Sequence, residues 1–196
     1  MPRKAKFSAE QIAEEGFSLV RQEGMAALSA RRLSKRLSCS VVPIFSVFHS
    51  MEELSDHIIQ LARNHYRTYI EQGLAQPIPF KGVGIQYIRF AQEEGKLFQL
   101  LFMQEKEQPP VLDHILALID DSYDAILRSV QSTYNLSEQD SKDLYLHLWI
   151  YTHGIAVLCA THSCVFTSDQ IQTMLSEVCI SLLTTFKGGK HNDYTS

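Results

Sequence analysis

The sequence predicts an all-α protein, and three features of its 196 residues support that fold class. Apolar residues recur at intervals of three and four over long stretches, as they do on one face of an amphipathic helix. Several of these stretches begin with Ser or Thr followed three residues later by Glu, Gln or Asp, a pattern typical of helix starts. Alternation of polar and apolar residues, which would indicate a strand, is nowhere sustained.

The first predicted helix begins at Ser8 and ends near Glu23. Ser8 and Gln11 have the spacing of a capping box, in which each side chain accepts a hydrogen bond from the other residue's backbone amide. Gly24 suits the end of this helix because glycine adopts positive φ without steric cost.

Residues 29–48 predict a helix, a tight turn and a second, shorter helix. Ser29 can cap the first of these, because its hydroxyl can accept a hydrogen bond from an amide of the next turn. Leu33 and Leu37 are four residues apart and share one face of that helix. Beside them lie cationic side chains in two rows, Arg31 with Lys35 and Arg32 with Arg36.

The second short helix follows a break in the periodicity at residues 38–40. We expect Ser40 to cap it and Pro43 to lie in its first turn, where a missing N–H is tolerated. Ile44, Phe45 and Phe48 are apolar at helical spacing, so this helix should pack on its neighbours. A basic helix followed by a short packed helix is the arrangement of a helix-turn-helix DNA-binding element.

The rest of the chain is also predicted to be helical. A second capping box, at residues 50–53, opens a long helix that runs toward Gly73, and the Gln-Pro-Ile-Pro sequence at 76–79 interrupts the chain. Five further helices are predicted at about residues 81–94, 96–105, 110–134, 137–162 and 168–187. We expect a DNA-binding domain over residues 1–50 and a second helical domain over residues 51–190.

The charges are unevenly distributed along the chain. Residues 1–50 contain eight Lys/Arg and four Glu, a balance of +4, whereas the remainder contains ten Lys/Arg and eighteen Asp/Glu, a balance of −8. A basic segment attached to an acidic one suits an anionic partner that touches only the basic part.

The composition narrows the class of protein. An apolar fraction of 45% and a charged fraction of 20% are ordinary for a soluble globular protein. No apolar run is long enough to span a membrane, and the basic N-terminus leads into a polar helix, so we expect a cytoplasmic protein. The four cysteines lack the regular spacing of a disulfide scaffold and are expected to be reduced and mostly buried.

The N-terminal segment resembles the DNA-binding domain of the TetR/AcrR family of transcriptional regulators. The resemblance covers about the first quarter of the chain and depends on the following residues: Ile12-Ala13, Gly16-Phe17, Glu23-Gly24, Ala27-Leu28-Ser29, Leu33, Leu37, residues 43–48 and Glu52-Glu53-Leu54. Farther on, Trp149 with His153-Gly154 is similar to the Trp…His-Gly signature of one subgroup of the family's C-terminal domains.

This resemblance implies a ligand-responsive transcriptional regulator, more often a repressor, that binds a palindromic operator in double-stranded DNA. It also implies that residues 51–190 form a ligand-binding and dimerisation domain. The last two helices would form the homodimer, and a small, hydrophobic effector would release the protein from DNA. The last two helices are apolar over a wide arc, which either core packing within one chain or packing on a second copy would explain. No cofactor and no enzymatic activity are expected.

The predicted DNA-binding residues divide by the chemistry of their side chains. Phosphate contacts are expected from Ser29, Arg31, Arg32 and the N-terminal Lys4 and Lys6. Val41, Val42 and Pro43 can make only apolar contacts, for instance with thymine methyl groups, while Ser40 and Ser46 can donate hydrogen bonds. Phe45 and His49 are also predicted to belong to the DNA-binding residues. The cationic side chains could instead form an ordinary solvated face.

Four positions depart from the family pattern. Ser38 replaces the usual turn glycine, Phe45 a tyrosine, Val47 a histidine and Met51 a lysine. Three phosphate-binding groups are therefore missing from their usual places, which would weaken binding about a hundredfold if each contributes roughly 1 kcal/mol.

Aromatic and polar residues of the C-terminal helices are candidates for an effector site. They are Tyr87, Phe90, Phe102, Met103, Tyr123, Trp149 and His153. Such residues suit an apolar pocket with a few polar groups, although the same pattern is common in a plain helical core.

Two other functions stay open on the sequence alone. A protein-interaction module with a degenerate DNA-binding segment would explain the missing phosphate ligands. A metal-responsive sensor could use Cys159, His162 and Cys164, with His147 and His153 nearby, but no dense pair of ligands marks such a site. No Gly-x-Ser-x-Gly, phosphate loop or His-Glu-x-x-His motif points to an enzyme.

Overall fold

The protein, in a computed structural model that describes residues 7–119 and 121–187, is helical throughout, and the all-α prediction is confirmed. Lys4 and Lys6 lie outside these residues. The described residues form the α-helices α1 (Ala9–Glu23), α2 (Ala30–Arg36), α3 (Val42–Val47), α4 (Met51–Leu74), α5 (Pro79–Glu93), α6 (Gly95–Phe102), α7 (Ile115–Ile119), α8 (Tyr123–Tyr134), α9 (Glu138–Ala160) and α10 (Ser168–Lys187). Short 3-10 turns occur at Met25–Ala27 and Leu112–His114.

Most predicted helix starts are confirmed, because a cap depends only on residues within one turn. The Gln11 amide donates to the Ser8 hydroxyl at 3.2 Å, and the Ser8 amide donates to the Gln11 side chain at 2.9 Å. Ser29 caps α2 by accepting a hydrogen bond from the Arg32 amide at 3.3 Å. Before α4, Ser50 accepts from the Glu53 amide at 3.1 Å, but the Glu53 carboxylate accepts from the His49 amide instead of completing the box.

The predicted start of α3 was wrong by one residue. Val41, not Ser40, is the N-cap residue, and it makes no side-chain capping hydrogen bond. The reason is that the Val41 carbonyl accepts the first helical hydrogen bonds, from the amides of Ile44 at 3.1 Å and Phe45 at 3.3 Å. Ser40 is therefore one position too early to cap the helix. The turn before it contains Ser38 in the left-handed conformation, with φ of 50°.

The packing of α3 also differs from the prediction. Ile44 and Phe48 are buried, as expected, but 45% of Phe45 is exposed. Three apolar residues at helical spacing cannot all face inward on a helix of six residues, and Phe45 is on the outer side.

The single helix predicted over residues 110–134 was wrong. The structure has a 3-10 turn, α7 and α8 in this region, and Ser122 precedes α8 without a side-chain capping bond. Asp121 and Ser122 precede the start of α8. Such side chains compete for backbone hydrogen bonds and so favour turns over continuous helix.

The described chain divides into two compact units. The first unit contains residues 7–66 and 94–105, and the second contains residues 67–93, 106–119 and 121–187. Fully buried side chains of the first unit include Ile12, Leu19, Leu33, Ile44, Leu54, Ile58, Leu97 and Phe98. Those of the second include Ile70, Ile88, Phe90, Ile126, Val130 and Leu144. The functional boundary expected at residue 50 stays a prediction.

Glycine allows two close approaches between helices. In the first unit, a Cβ atom on Gly16 of α1 would lie 2.7 Å from a methyl carbon of Ile58 of α4. In the second unit, a Cβ atom on Gly73 of α4 would lie 2.7 Å from the backbone of Val83 in α5. The latter contact involves backbone atoms, which cannot rotate away, so α4 and α5 can pack this closely only with glycine at position 73.

Candidate functional site

The surface of α2 and α3 contains most of the residues predicted to bind DNA. We refer to Arg31, Lys35, Val41, Val42 and Phe45 as the α2–α3 surface. All five are exposed, and Val42 is the most exposed of the three apolar side chains at 69%. Large apolar side chains that are exposed in the same segment as exposed cations favour a contact surface over a plain solvated face.

The four cations of α2 fall into two groups that the sequence did not distinguish. Arg32 forms an ion pair with Glu23 at 2.5 Å. Arg36 forms one with Glu15 and also donates to Gln22 and Ser18. The side chains of Arg32 and Arg36 are thus already paired with residues of α1.

The other row is available to a ligand. The side chains of Arg31 and Lys35 have no ion-pair or hydrogen-bond partner among residues 7–119 and 121–187. Both are exposed. Of the two arginines predicted to bind phosphate, Arg31 is therefore free to do so, whereas Arg32 would first have to break an ion pair.

The polar residues around α3 make internal hydrogen bonds. The Ser46 hydroxyl donates to the Pro43 carbonyl at 2.7 Å. A ring nitrogen of His49 lies 3.0 Å from the Glu53 carboxylate, which also accepts the His49 amide. These hydrogen bonds lower the pKa of Glu53. Ser40 is exposed and caps no helix, and Pro43 is half-buried.

A polar and aromatic cluster in the second unit brings together three of the predicted effector residues. The Tyr87 hydroxyl of α5 lies 2.9 Å from Nδ1 of His153 in α9. The Trp149 ring stacks on the His153 ring with centroids 5.0 Å apart. Burial lowers the pKa of His153 and so favours its neutral ring, whose Nδ1 can accept a hydrogen bond from the Tyr87 hydroxyl.

Three buried polar side-chain atoms of the second unit have no hydrogen-bond partner among the described residues. They are the indole Nε1 of Trp149, Oε1 of Gln86 on α5 and the hydroxyl oxygen of Ser141 on α9. A buried polar group without a partner destabilises the fold by about 1–3 kcal/mol, which binding a ligand could recover. Trp149 Nε1 can donate to an acceptor, and Gln86 Oε1 can accept from a donor.

The remaining predicted effector residues lie elsewhere. Phe90 is fully buried and packs edge-on against Tyr69 with centroids 5.2 Å apart. Tyr123 stacks on Tyr145 at 5.9 Å. Phe102 and Met103 belong to the first unit, where Phe102 packs on Tyr66 and Met103 is exposed. The cluster of Tyr87, Trp149 and His153 is therefore the part of the predicted set that the structure joins by direct contacts.

A buried acidic residue that the sequence analysis missed links three helices of the first unit. Glu94 is 3% exposed and lies between α5 and α6. Its carboxylate accepts hydrogen bonds from Arg21 of α1, including one from Nε at 2.6 Å, and lies 3.0 Å from His65 of α4. Seventy-three positions separate Glu94 from Arg21, so no local pattern in the sequence could have indicated this cluster.

The four cysteines are free thiols, but the expectation that most are buried was wrong. Only Cys159 is buried, Cys164 is exposed, and Cys39 and Cys179 are half-buried. In the described ranges, no group of three or more His, Cys, Asp and Glu side chains has the arrangement of a metal site. No helix there has both the length and the apolar character needed to cross a bilayer.

Comparisons with known proteins do not place the chain in a family. No family model matches the sequence, and no curated protein matches it.

Proposed function

We propose that this protein is a cytoplasmic, ligand-responsive transcriptional regulator of the TetR/AcrR type. In this proposal it binds a palindromic operator as a homodimer, acts as a repressor, and is released by a small hydrophobic effector. The observation that carries it is the α2–α3 surface, where the unpaired Arg31 and Lys35 accompany exposed apolar side chains on a segment with the family's residue pattern.

The DNA contacts would use the available cations and the exposed apolar side chains. Arg31 and Lys35 are suited to phosphate oxygens, which supply most of the affinity without sequence choice. Val41 and Val42, at the start of α3, are suited to thymine methyl groups in the major groove. Phe45 can add apolar contact but cannot donate a hydrogen bond.

The homodimer would use the exposed apolar side chains of the last two helices. Ile150 and Leu158 of α9 are 49% and 41% exposed, and Ile180 of α10 is 63% exposed. Gly154 lies midway between Ile150 and Leu158, and a Cβ atom there would meet nothing within 4 Å. A stripe of this kind supports close packing against a second copy.

The effector would bind near the cluster of Tyr87, Trp149 and His153. Its apolar part would contact the aromatic rings, and an acceptor group such as a carbonyl would pair with Trp149 Nε1. Binding is proposed to change the angle of α4, the helix that follows the DNA-binding segment, and so to change the separation of the two DNA-binding segments in the dimer. Crystals with and without effector that show the same separation would contradict this step.

The test of DNA binding compares Arg31→Ala with Arg128→Ala. Arg128 is also exposed and has no side-chain partner among the described residues, but it lies on α8, so its replacement removes the same charge away from the α2–α3 surface. Arg31→Ala should weaken binding to all duplexes. The slope of the logarithm of the binding constant against the logarithm of the salt concentration should become shallower by about 0.9 for each phosphate that is no longer neutralised. Arg128→Ala should change neither. Equal effects of the two changes would refute the assignment of Arg31.

A second candidate function is a protein-interaction module. It is favoured by the internal hydrogen bonds of Ser46 and His49, which leave the exposed part of α3 dominated by Val41, Val42 and Phe45. Under this alternative the protein would show no retention on duplex DNA. Phe45→Ser would then remove binding to a protein partner without changing the fold, since the Phe45 side chain is already exposed.

A further inference from the structure

The end of α9 has a geometry that brings two cysteines close together. The Ser163 amide donates to the Leu158 carbonyl at 2.9 Å, and the His162 amide donates to the Cys159 carbonyl at 3.0 Å. His162 has a φ of 55°. These features form a Schellman motif, which ends a helix and turns the following chain back over its last turn.

The same turn holds Cys164 beside Cys159. The Cys164 amide also donates to the Leu158 carbonyl, at 3.2 Å. Since that carbonyl carbon is bonded to the Cys159 nitrogen, standard bond lengths limit the separation of the two Cα atoms to about 7.5 Å. Disulfides span Cα separations of about 4.4–6.8 Å, so a small movement of the loop at most is needed to join these residues.

The two thiols differ in a way that suits a reactive and a resolving cysteine. Cys164 is exposed, in a segment at 164–167 without regular structure, and its neighbour Val165 is 90% exposed. Cys159 is buried in the last turn of α9. Burial raises the pKa of Cys159, a negative charge at Cys164 raises it further, and a hydrogen bond with Gln92 lowers it.

We propose that Cys164 and Cys159 form a redox site in which hydrogen peroxide converts the two thiols into an intramolecular disulfide. The Cys164 thiolate attacks the peroxide, so that an S–O bond forms and the O–O bond breaks, leaving a sulfenic acid. The departing hydroxide takes up the proton that the Cys164 thiol lost and becomes one water. The Cys159 thiolate then attacks the Cys164 sulfur, so that the S–S bond forms and the S–O bond breaks, and the second hydroxide takes up the proton of the Cys159 thiol to give a second water. Two thiols are oxidised and one peroxide is reduced to two waters.

The disulfide would tether the loop between α9 and α10 to the last turn of α9. Its formation needs neither DNA nor an effector, so it can be tested even if the proposed function is wrong. Only the effect of the disulfide on dimerisation rests on the proposed function, because α9 and α10 provide the surface assigned to the dimer.

The experiment treats the full chain with hydrogen peroxide, alkylates the remaining thiols under denaturing conditions and maps the peptides by mass spectrometry. The sequence has no Lys or Arg between Lys142 and Lys187, so trypsin leaves Cys159, Cys164 and Cys179 in one peptide. Chymotrypsin can cut after Leu158 and Phe166, which isolates residues 159–166 from Cys179.

The expected product is a 159–166 peptide that has lost two hydrogens and carries no alkyl group. The oxidised chain should still run as a monomer on a non-reducing gel. Cys39 and Cys179 should remain alkylated, so two of the four thiols are consumed. In Cys159→Ser, Cys164 should instead proceed to sulfinic acid, while Cys179→Ser should behave like the unchanged protein. Alkylated Cys159 beside sulfinic Cys164 in the unchanged protein, a Cys164-linked pair of chains, or no reaction would each overturn the proposal.

Discussion

Replacing Gly73 with alanine tests the close approach of α4 and α5 in the second unit. The added Cβ atom would lie 2.7 Å from both the N and Cα atoms of Val83 and 2.9 Å from the carbonyl carbon of Gly82. Ordinary contacts of this kind begin at 3.4 Å. The two helices would have to separate by about 0.7 Å at this point, and the interior is too densely packed to absorb such a shift without cost.

The expected loss of stability is set by two opposing effects. Overpacking destabilises by about 1–3 kcal/mol, and alanine in place of glycine within a helix recovers about 0.5–1 kcal/mol. Taking the middle of each range, Gly73→Ala should lower the free energy of unfolding by about 1 kcal/mol. Gly154→Ala is the matched control, because nothing lies within 4 Å of its added atom, and it should raise the free energy of unfolding of the monomer by about 0.5–1 kcal/mol.

The assay is urea unfolding followed by fluorescence of Trp149, the protein's only tryptophan, which lies in the second unit. With a slope of about 2 kcal/mol per molar urea, the Gly73→Ala midpoint should fall by about 0.5 M. If the two alanine variants changed the midpoint in the same direction and by the same amount, the packing argument would be refuted.

Three further predictions follow from individual residues. Ser38→Gly should stabilise the protein by about 0.5–1 kcal/mol, because Ser38 has a φ of 50°, which glycine adopts without strain. Asn135→Gly should stabilise the protein less, because asparagine tolerates this conformation. Equal changes in the thermal midpoint of the two variants would contradict this prediction. The lowered pKa of His153 means that below an ordinary pKa of 6.5 the unfolded chain binds a proton that the folded chain does not. The free energy of unfolding should therefore fall as the pH drops from 7.5 to 5.5 more steeply in the unchanged protein than in His153→Gln, and parallel pH profiles would refute it. Glu94→Gln should lower the free energy of unfolding by about 1–3 kcal/mol, because it weakens the contacts of a buried carboxylate with Arg21, which is itself half-exposed. A thermal midpoint identical to that of the unchanged protein would argue against a structural role for this cluster.

Local features of the fold could be predicted from the sequence. The caps at Ser8 and Ser29 depend on side chains that reach amides within one turn, so their spacing was sufficient evidence. The start of α3 was missed because Ser40 and Val41 are adjacent, and only the backbone hydrogen bonds decide where the helix begins. The break between α7 and α8 was missed because the apolar periodicity continues on both sides of it.

Tertiary features could not be predicted in the same way. Arg31 and Arg32 look equivalent in the sequence, yet only Arg32 is paired, because Glu23 is nine positions away and reaches it only in the folded chain. The contact of Tyr87 with His153 joins residues 66 positions apart. The residue types suggested a site, but only the packing of α5 on α9 selected these residues from the wider aromatic set.

Selection of the purified protein on a pool of random duplex DNA, at low and at moderate salt, tests the proposed function most directly. We predict enrichment of a palindromic site, with binding that weakens as salt rises and that Arg31→Ala reduces. Retention without an enriched sequence would mean that the α2–α3 surface binds only the phosphate backbone. No retention at either salt concentration would contradict the proposed function and favour a protein partner for the exposed side chains of α3.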